Sequence, residues 1–249
     1  MARCCPLLLS GYDRIMFRAL MIFCATAPLV GACGSMPESK IEPSTALVNT
    51  SEQSDESSST LKPWRSADGR YELRIPKHWY QSTSQEDRDI ATAIESANGN
   101  SSGIAGRKTL LNIRSSKEGH FATFLLTKMP YEGVDQELVS RMTEADLRVL
   151  ENGIKAGYAN QMQRIQGNAG FTIISWGKAS FTRVDSMRGW TIGFKFTTEG
   201  SSAEWYTSIV YIPINGQLIE MTSAYDISKV TLAKPTLSSI VNSFKIRRQ

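Results

Sequence analysis

After residue 33 the sequence contains no cysteine. Its four cysteines are Cys4, Cys5, Cys24 and Cys33, so three fall within the first 32 residues. Once those are removed, no disulfide can form in the remaining chain, and Cys33 stands as a lone N-terminal thiol. Histidine is equally scarce. His78 and His120 are the only two, and they lie far apart in sequence, without the clustered ligands a metal site needs. The sequence has no phosphate-cradling Gly loop and no H-E-x-x-H, which removes the commonest nucleotide and zinc-protease readings. No apolar run approaches the roughly 20 residues that span a bilayer as a helix. No Lys/Arg cluster is present either, and an exported chain of this charge pattern is not expected to meet nucleic acid.

The longest apolar run is present at the start. Ala19 to Val30 follows Arg18 and closes on Gly31-Ala32-Cys33. A charged region, a short apolar region and small residues before a cysteine make a secretory leader. Val30-Gly31-Ala32-Cys33 is similar to the lipobox of bacterial lipoproteins. The resemblance implies cleavage between Ala32 and Cys33, a diacylglycerol on the Cys33 sulfur and usually a third, palmitate-type chain on its amine. Each buried methylene contributes about 0.8 kcal/mol, so two or three chains hold a protein on a membrane where one would not. Gly34 follows, where an Asp would favour retention in the inner membrane, so the expected location is the outer membrane, facing the periplasm. Residues 1–15 fit poorly as a charged region, because they hold Pro6, Leu7-Leu8-Leu9 and Asp13. A start at Met16 gives Met-Phe-Arg and then the apolar run, and translation is expected to begin there.

Gly34 to Lys62 holds eight Ser, three Thr and two Pro, with almost no large apolar residue. Such a stretch cannot bury enough surface to offset its ordering entropy, so it is expected to be a disordered tether. A coil of this length reaches on the order of 30 Å. The expected organisation is therefore a signal peptide over 1–32, a lipidated N-terminus and tether over 33–62, and a globular domain over 63–249. The last of these carries 23 Lys and Arg against 18 Asp and Glu. That is ordinary solubility charge, with at most a weak preference for an anionic lipid surface.

Within the domain, Tyr71, Leu73 and Ile75 alternate with Glu72 and Arg74, which predicts a half-buried strand after the turn Ala67-Asp68-Gly69. Residues 86–97 have helical spacing, and 99–106 are Gly/Ser-rich and read as a loop. Leu110–Arg114 and Phe121–Lys128 read as a hairpin, apolar enough on both sides to be central. Asp135 caps the longest helical stretch, with Val134 and Val139 placed as a hydrophobic staple. Thr143 and Asp146 make a second capping signal, where the stretch divides into two helices, and Gly167 ends it. From Phe171 the pattern is a four-strand β meander. Trp190, Ile192, Phe194 and Phe196 share one face, and Asn215-Gly216 turns a hairpin. Pro235 fits the first turn of a last helix, whose stripe is Leu237, Ile240, Val241 and Phe244. Antiparallel strands with a few helices predict an α+β layered domain.

Asp68-Gly-Arg-Tyr-Glu-Leu-Arg-Ile-Pro-Lys-His-Trp79 resembles the opening strand of the PsbP-like superfamily. Leu237-Ser-Ser-Ile-Val-Asn-Ser-Phe-Lys-Ile246 resembles its terminal helix. His78 stands where the family often has Gly. The DcrB-like bacterial lipoproteins belong to this superfamily, and the resemblance implies an α/β/α sandwich around an antiparallel sheet. Its members serve unrelated roles on different surfaces, so function does not follow from the fold.

No candidate catalytic constellation emerges. Ser175 beside Trp176 has no base nearby. Glu144, Asp146 and Glu151, with Arg141 and Arg148, read as a solvated helix face. Glu220 alternates into a strand among polar neighbours. Trp176, Trp190 and Trp205 read as core. The expected protein is a lipid-anchored envelope lipoprotein with a non-catalytic binding or scaffolding domain, without cofactor or metal. Membrane lipid is met through acylated Cys33, and an envelope protein is the expected further partner. The alternatives are a periplasmic inhibitor or immunity protein, and an envelope hydrolase with an unrecognised site.

Overall fold

The structure is a computed structural model that describes residues 61–83, 85–86, 107–131, 133–165, 171–198 and 202–247. Ala32, Cys33, the possible start at Met16, the tether up to residue 60 and the loop over 99–106 lie outside these residues. So does the helix expected over 86–97, apart from its first residue.

Strands β1 (Leu61–Arg65) and β2 (Tyr71–Pro76) form an antiparallel hairpin. Its turn is held by Asp68, whose carboxylate accepts from the Ser66 hydroxyl at 2.6 Å and from the Arg70 N–H at 3.2 Å. Because β1 begins at Leu61, the border expected between residues 62 and 63 falls inside a strand. The alternation of Tyr71, Leu73 and Ile75 is realised, with all three buried.

A larger sheet takes β3 (Tyr80–Gln81), β4 (Lys108–Arg114), β5 (Ala122–Pro130), β6 (Phe171–Trp176), β7 (Ser180–Val184), β8 (Met187–Thr198), β9 (Glu204–Ile214) and β10 (Gln217–Asp226). Its order is β3-β4-β5-β10-β9-β8-β6, with β7 also on β8 and every pairing antiparallel. The expected four-strand meander therefore holds five strands. β6 and β7 are two pieces laid along one edge of β8, interrupted at Gly177–Ala179. The Gly177 N–H still reaches the Gly193 carbonyl at 2.7 Å. A Cβ on Gly189 of β8 would lie 2.1 Å from the Tyr211 carbonyl oxygen, so the approach of β9 requires glycine there. Asn215 and Gly216 both take positive φ, 48° and 72°, as a two-residue hairpin turn demands. Asp185 and Ser186 do the same between β7 and β8, at 49° and 66°. The last strand, β11 (Lys245–Ile246), pairs with β2, so the two ends of the described chain share a three-stranded sheet in the order β1-β2-β11.

Three helices whose bounds lie among the described residues complete the layers. Asp135 caps α1 (Gln136–Arg141) by accepting from the Leu138 N–H at 2.8 Å, with Val134 and Val139 both buried as the staple requires. The break expected at Thr143 is real. Asp146 accepts from the Thr143 N–H and hydroxyl, each at 2.8 Å, and α2 (Glu144–Ile165) begins there. The Gln136 amide bonds the carbonyls of Arg188 and Pro213, fixing α1 across β8 and β9. Helix α3 (Val230–Asn242) starts five residues earlier than Pro235 suggests. Asp226 accepts from the Ser228 N–H at 2.8 Å and starts a 3-10 turn over Ile227–Lys229, and the helix builds directly on it. Pro235 thus lies inside the helix, where it leaves one turn without its backbone donor.

The fold is α+β, with antiparallel sheets and few helices. The two faces of the larger sheet carry two separate cores. Tyr71, Leu73 and Ile75 of β2 and Ala233, Leu237, Ile240 and Phe244 of the α3 region pack with Phe124, Leu126, Ile219 and Met221 on one face. Val139, Leu147, Leu150 and Ile154 of α1 and α2 pack with Trp190, Ile192, Phe194 and Tyr211 on the other.

Candidate functional site

The small sheet carries a groove of about 1010 Å³. Its walls come from opposite ends of the chain. Leu61, Pro63 and Arg65 stand on β1, Glu72 and Arg74 on β2, and Lys245 and Arg247 on and just after β11. Ser239, Asn242 and Ser243 come from the end of α3. Strand register explains the grouping. Pro63 faces Arg74, Arg65 faces Glu72, and Lys245 faces Glu72 from the other side. Residues far apart in sequence thus meet on one face.

Four cations surround one carboxylate. Glu72 lies 2.5 Å from Arg65 and 2.7 Å from Arg247. These two guanidinium groups, Arg247 first, hold its carboxyl below the usual carboxylate range. Arg74 and Lys245 are exposed and form no ion pair among the described residues. The Arg74 backbone N–H donates to the Ser243 hydroxyl at 2.8 Å, which ties β2 to the end of α3. Guanidinium and ammonium groups beside a neutralised carboxylate hold anions by charge and hydrogen bonding. They do not supply a proton acceptor near neutral pH. The sequence reading missed this cluster, since its cations are spread over positions 65, 74, 245 and 247. The alternation of Lys245 with Arg247 after a helix was the one local signal.

The other residues singled out from sequence fall elsewhere. Cys33 and Ala32 lie outside the described residues. His78 is exposed in the turn after β2, and His120 is half-buried with its ring 5.9 Å from that of Trp205. Burial, then the nearby Arg114 charge, pushes the His120 imidazole below its ordinary value. Among the described residues no group of three or more His, Cys, Asp or Glu could hold a metal ion. Ser175 is exposed on the edge strand β6. Trp190 and Trp205 are core, and Trp176 leans on Phe194 with ring centroids 4.9 Å apart. Glu151 departs from the expected solvated face. Its carboxylate accepts from Lys155 at 2.6 Å and from the Ala179 N–H at 2.9 Å, where the strand edge is interrupted.

Glu220 departs most. It is fully buried in the middle of β10, where Arg107 donates to it at 2.7 Å and the Thr222 hydroxyl at 3.0 Å. Burial pushes its carboxyl up, and the Arg107 charge offsets part of that rise. Neither Glu220 nor Arg107 lines the groove on the small sheet.

No family model matches the chain, and no curated protein matches it. Solved structures do. The cyanobacterial PsbP protein CyanoP of Synechocystis sp. PCC 6803 is similar at a TM-score of 0.46 and 12% identity, over 79% of this chain and 98% of that one. LpqN of Mycobacterium tuberculosis, described as involved in cell envelope biogenesis, has a TM-score of 0.39 and 13% identity over 76% of this chain and 91% of that one. The Ran-binding protein Mog1p of Saccharomyces cerevisiae has a TM-score of 0.36 and 6% identity over 75% of this chain and 95% of that one. At such identities a shared outline says nothing of a shared site.

Proposed function

We propose that this chain is a bacterial envelope lipoprotein, anchored by acylated Cys33, whose globular domain binds and does not catalyse. The observation that carries the binding half is the groove on the small sheet. Its carboxylate is already shared between two arginines, while Arg74 and Lys245 remain available to an anion. The anchoring half rests on the order Arg18, apolar run, Gly31-Ala32-Cys33. Among the described residues no helix is long and apolar enough to cross a membrane, so attachment in this reading falls to the acyl chains.

The test is metabolic labelling with palmitate, followed by sequencing of the mature N-terminus. Label should enter the wild type and not Cys33→Ala, and the mature chain should begin at Cys33. Label that is absent from the wild type, or that persists in Cys33→Ala, defeats the anchoring half. Crosslinking in intact envelopes then separates a scaffold, captured with envelope components, from an inhibitor captured with one toxin.

A further inference from the structure

We propose that the groove between β1, β2, β11 and the end of α3 docks the domain onto an anionic phospholipid surface. This deepens the envelope reading and rests on it for the nearness of a membrane. The first support is charge. Arg65, Arg74, Lys245 and Arg247 face Glu72 alone among ionisable groups of the lining, and all four cations are exposed. Lys and Arg near an anionic leaflet each favour the bound state, and their forked or rotating donors suit phosphate oxygens.

The second support is the position of Leu61. Leu61 is both the first described residue and part of the groove wall. The covalent link from Cys33 therefore reaches the described residues at the cationic side of the domain. Cys33 lies 28 positions earlier, within a reach on the order of 30 Å for a polar coil. Held that close, a surface needs little intrinsic affinity, because the tether supplies a high effective concentration of lipid. Anchor and groove would then act on the same leaflet. Glu52, Asp55 and Glu56 precede Leu61 closely and are the competing occupant.

The experiment uses the chain from residue 33 onward, carrying Cys33→Ser and no lipid. It contains every described element. It is sedimented with vesicles of phosphatidylcholine alone or mixed with phosphatidylglycerol. Binding should be at least about tenfold stronger to the anionic vesicles and should weaken with salt. Arg74→Gln with Lys245→Gln should lower it by about 25-fold, roughly fivefold per charge. The single Lys245→Gln gives the same result in graded form. Lys178→Gln with Lys195→Gln, both exposed and absent from the groove lining, should change binding by less than about twofold. Equal binding to both vesicle types overturns the proposal, as does indifference to the Arg74 and Lys245 changes. Binding that appears only after Glu52→Gln, Asp55→Asn and Glu56→Gln assigns the groove to the chain's own acidic run and overturns it. Competition by inorganic phosphate at matched ionic strength assigns it to a small anion and also overturns it. Because the probe carries no acyl chain, failure here leaves the Cys33 reading standing. Absence of palmitate on Cys33 likewise leaves the vesicle result standing.

Discussion

Toward α3 and the small sheet, the eight-stranded sheet presents Leu111, Ile113, Phe124, Leu126, Ile219 and Met221. Toward α1 and α2 it presents Trp190, Phe194 and Tyr211, but also Thr127, Glu220, Thr222 and Thr207, every one of them buried. The first face is held by dispersion and loss of apolar hydration, which depend on fit and area. The second mixes packing with polar groups that must find partners inside the protein. Two faces of one sheet can therefore be equally dry and yet fail in different ways. The apolar face loses stability in proportion to the volume removed. The mixed face loses or gains it according to whether a polar atom is paired.

The largest effect is expected on the apolar face. Phe124 is fully buried between β4 and β10. Phe124→Ala should destabilise the domain by about 3–5 kcal/mol, through lost transfer energy and the cavity left behind. Chemical denaturation measures it. A cost below about 1 kcal/mol would mean that this face collapses freely and that its fit is loose.

The same contrast decides what could be read from sequence. Tyr71, Leu73 and Ile75, the row Trp190 to Phe196, the Asn215-Gly216 turn and the Asp135 cap were legible because each depends on neighbours a few residues away. Glu220 was not. Alternation assigns a polar residue to solvent only where one face of the strand is wet. β10 is covered on both faces, so its period of two no longer separates inside from outside. Pro235 misled for a related reason. Its preference for a first turn is weaker than the start already made by Asp226 and the 3-10 turn. The groove was illegible in principle from local pattern, since it needs β11 to pair with β2 across almost the whole domain. Scattered basic residues that looked like ordinary solubility charge became a cluster only through that pairing.

The pair formed by Arg107 and Glu220 gives the next effect. The side chains are 14% and 1% exposed. Arg107→Met leaves a buried carboxylate without its cation and should cost about 3 kcal/mol near neutral pH. Adding Glu220→Leu should recover most of that loss, because an apolar replacement of a whole buried pair is often neutral or better. The pH dependence has a definite sign. The folded carboxyl is held above its ordinary value of 4.5. Its contribution is therefore fully present below that value and is lost as pH rises through the raised one. Arg107→Met removes the offsetting charge and should steepen the loss. Glu220→Gln, with no proton to release, should flatten it. Denaturation followed across that window checks both, and a double variant as unstable as Arg107→Met alone would place the cost in packing by the arginine stem.

The smallest effect has the opposite sign and isolates the mixed face. Thr207 is fully buried on β9 between Trp205 and Ile209, opposite Phe194 and Ala224. Its hydroxyl has no hydrogen-bond partner among the described residues. Burying a hydroxyl in that state costs on the order of 1 kcal/mol. Valine has nearly the same shape and no such group, so Thr207→Val should raise stability by about 1 kcal/mol. On the apolar face the residues Leu111, Ile113, Phe124, Leu126, Ile219 and Met221 carry no hydroxyl, amide or charge whose removal could do this. A gain at Thr207 beside a loss at Phe124 would establish that the two faces obey different rules. An unchanged melting temperature would mean that the hydroxyl is satisfied in solution, and the mixed face would then be as well matched as the apolar one.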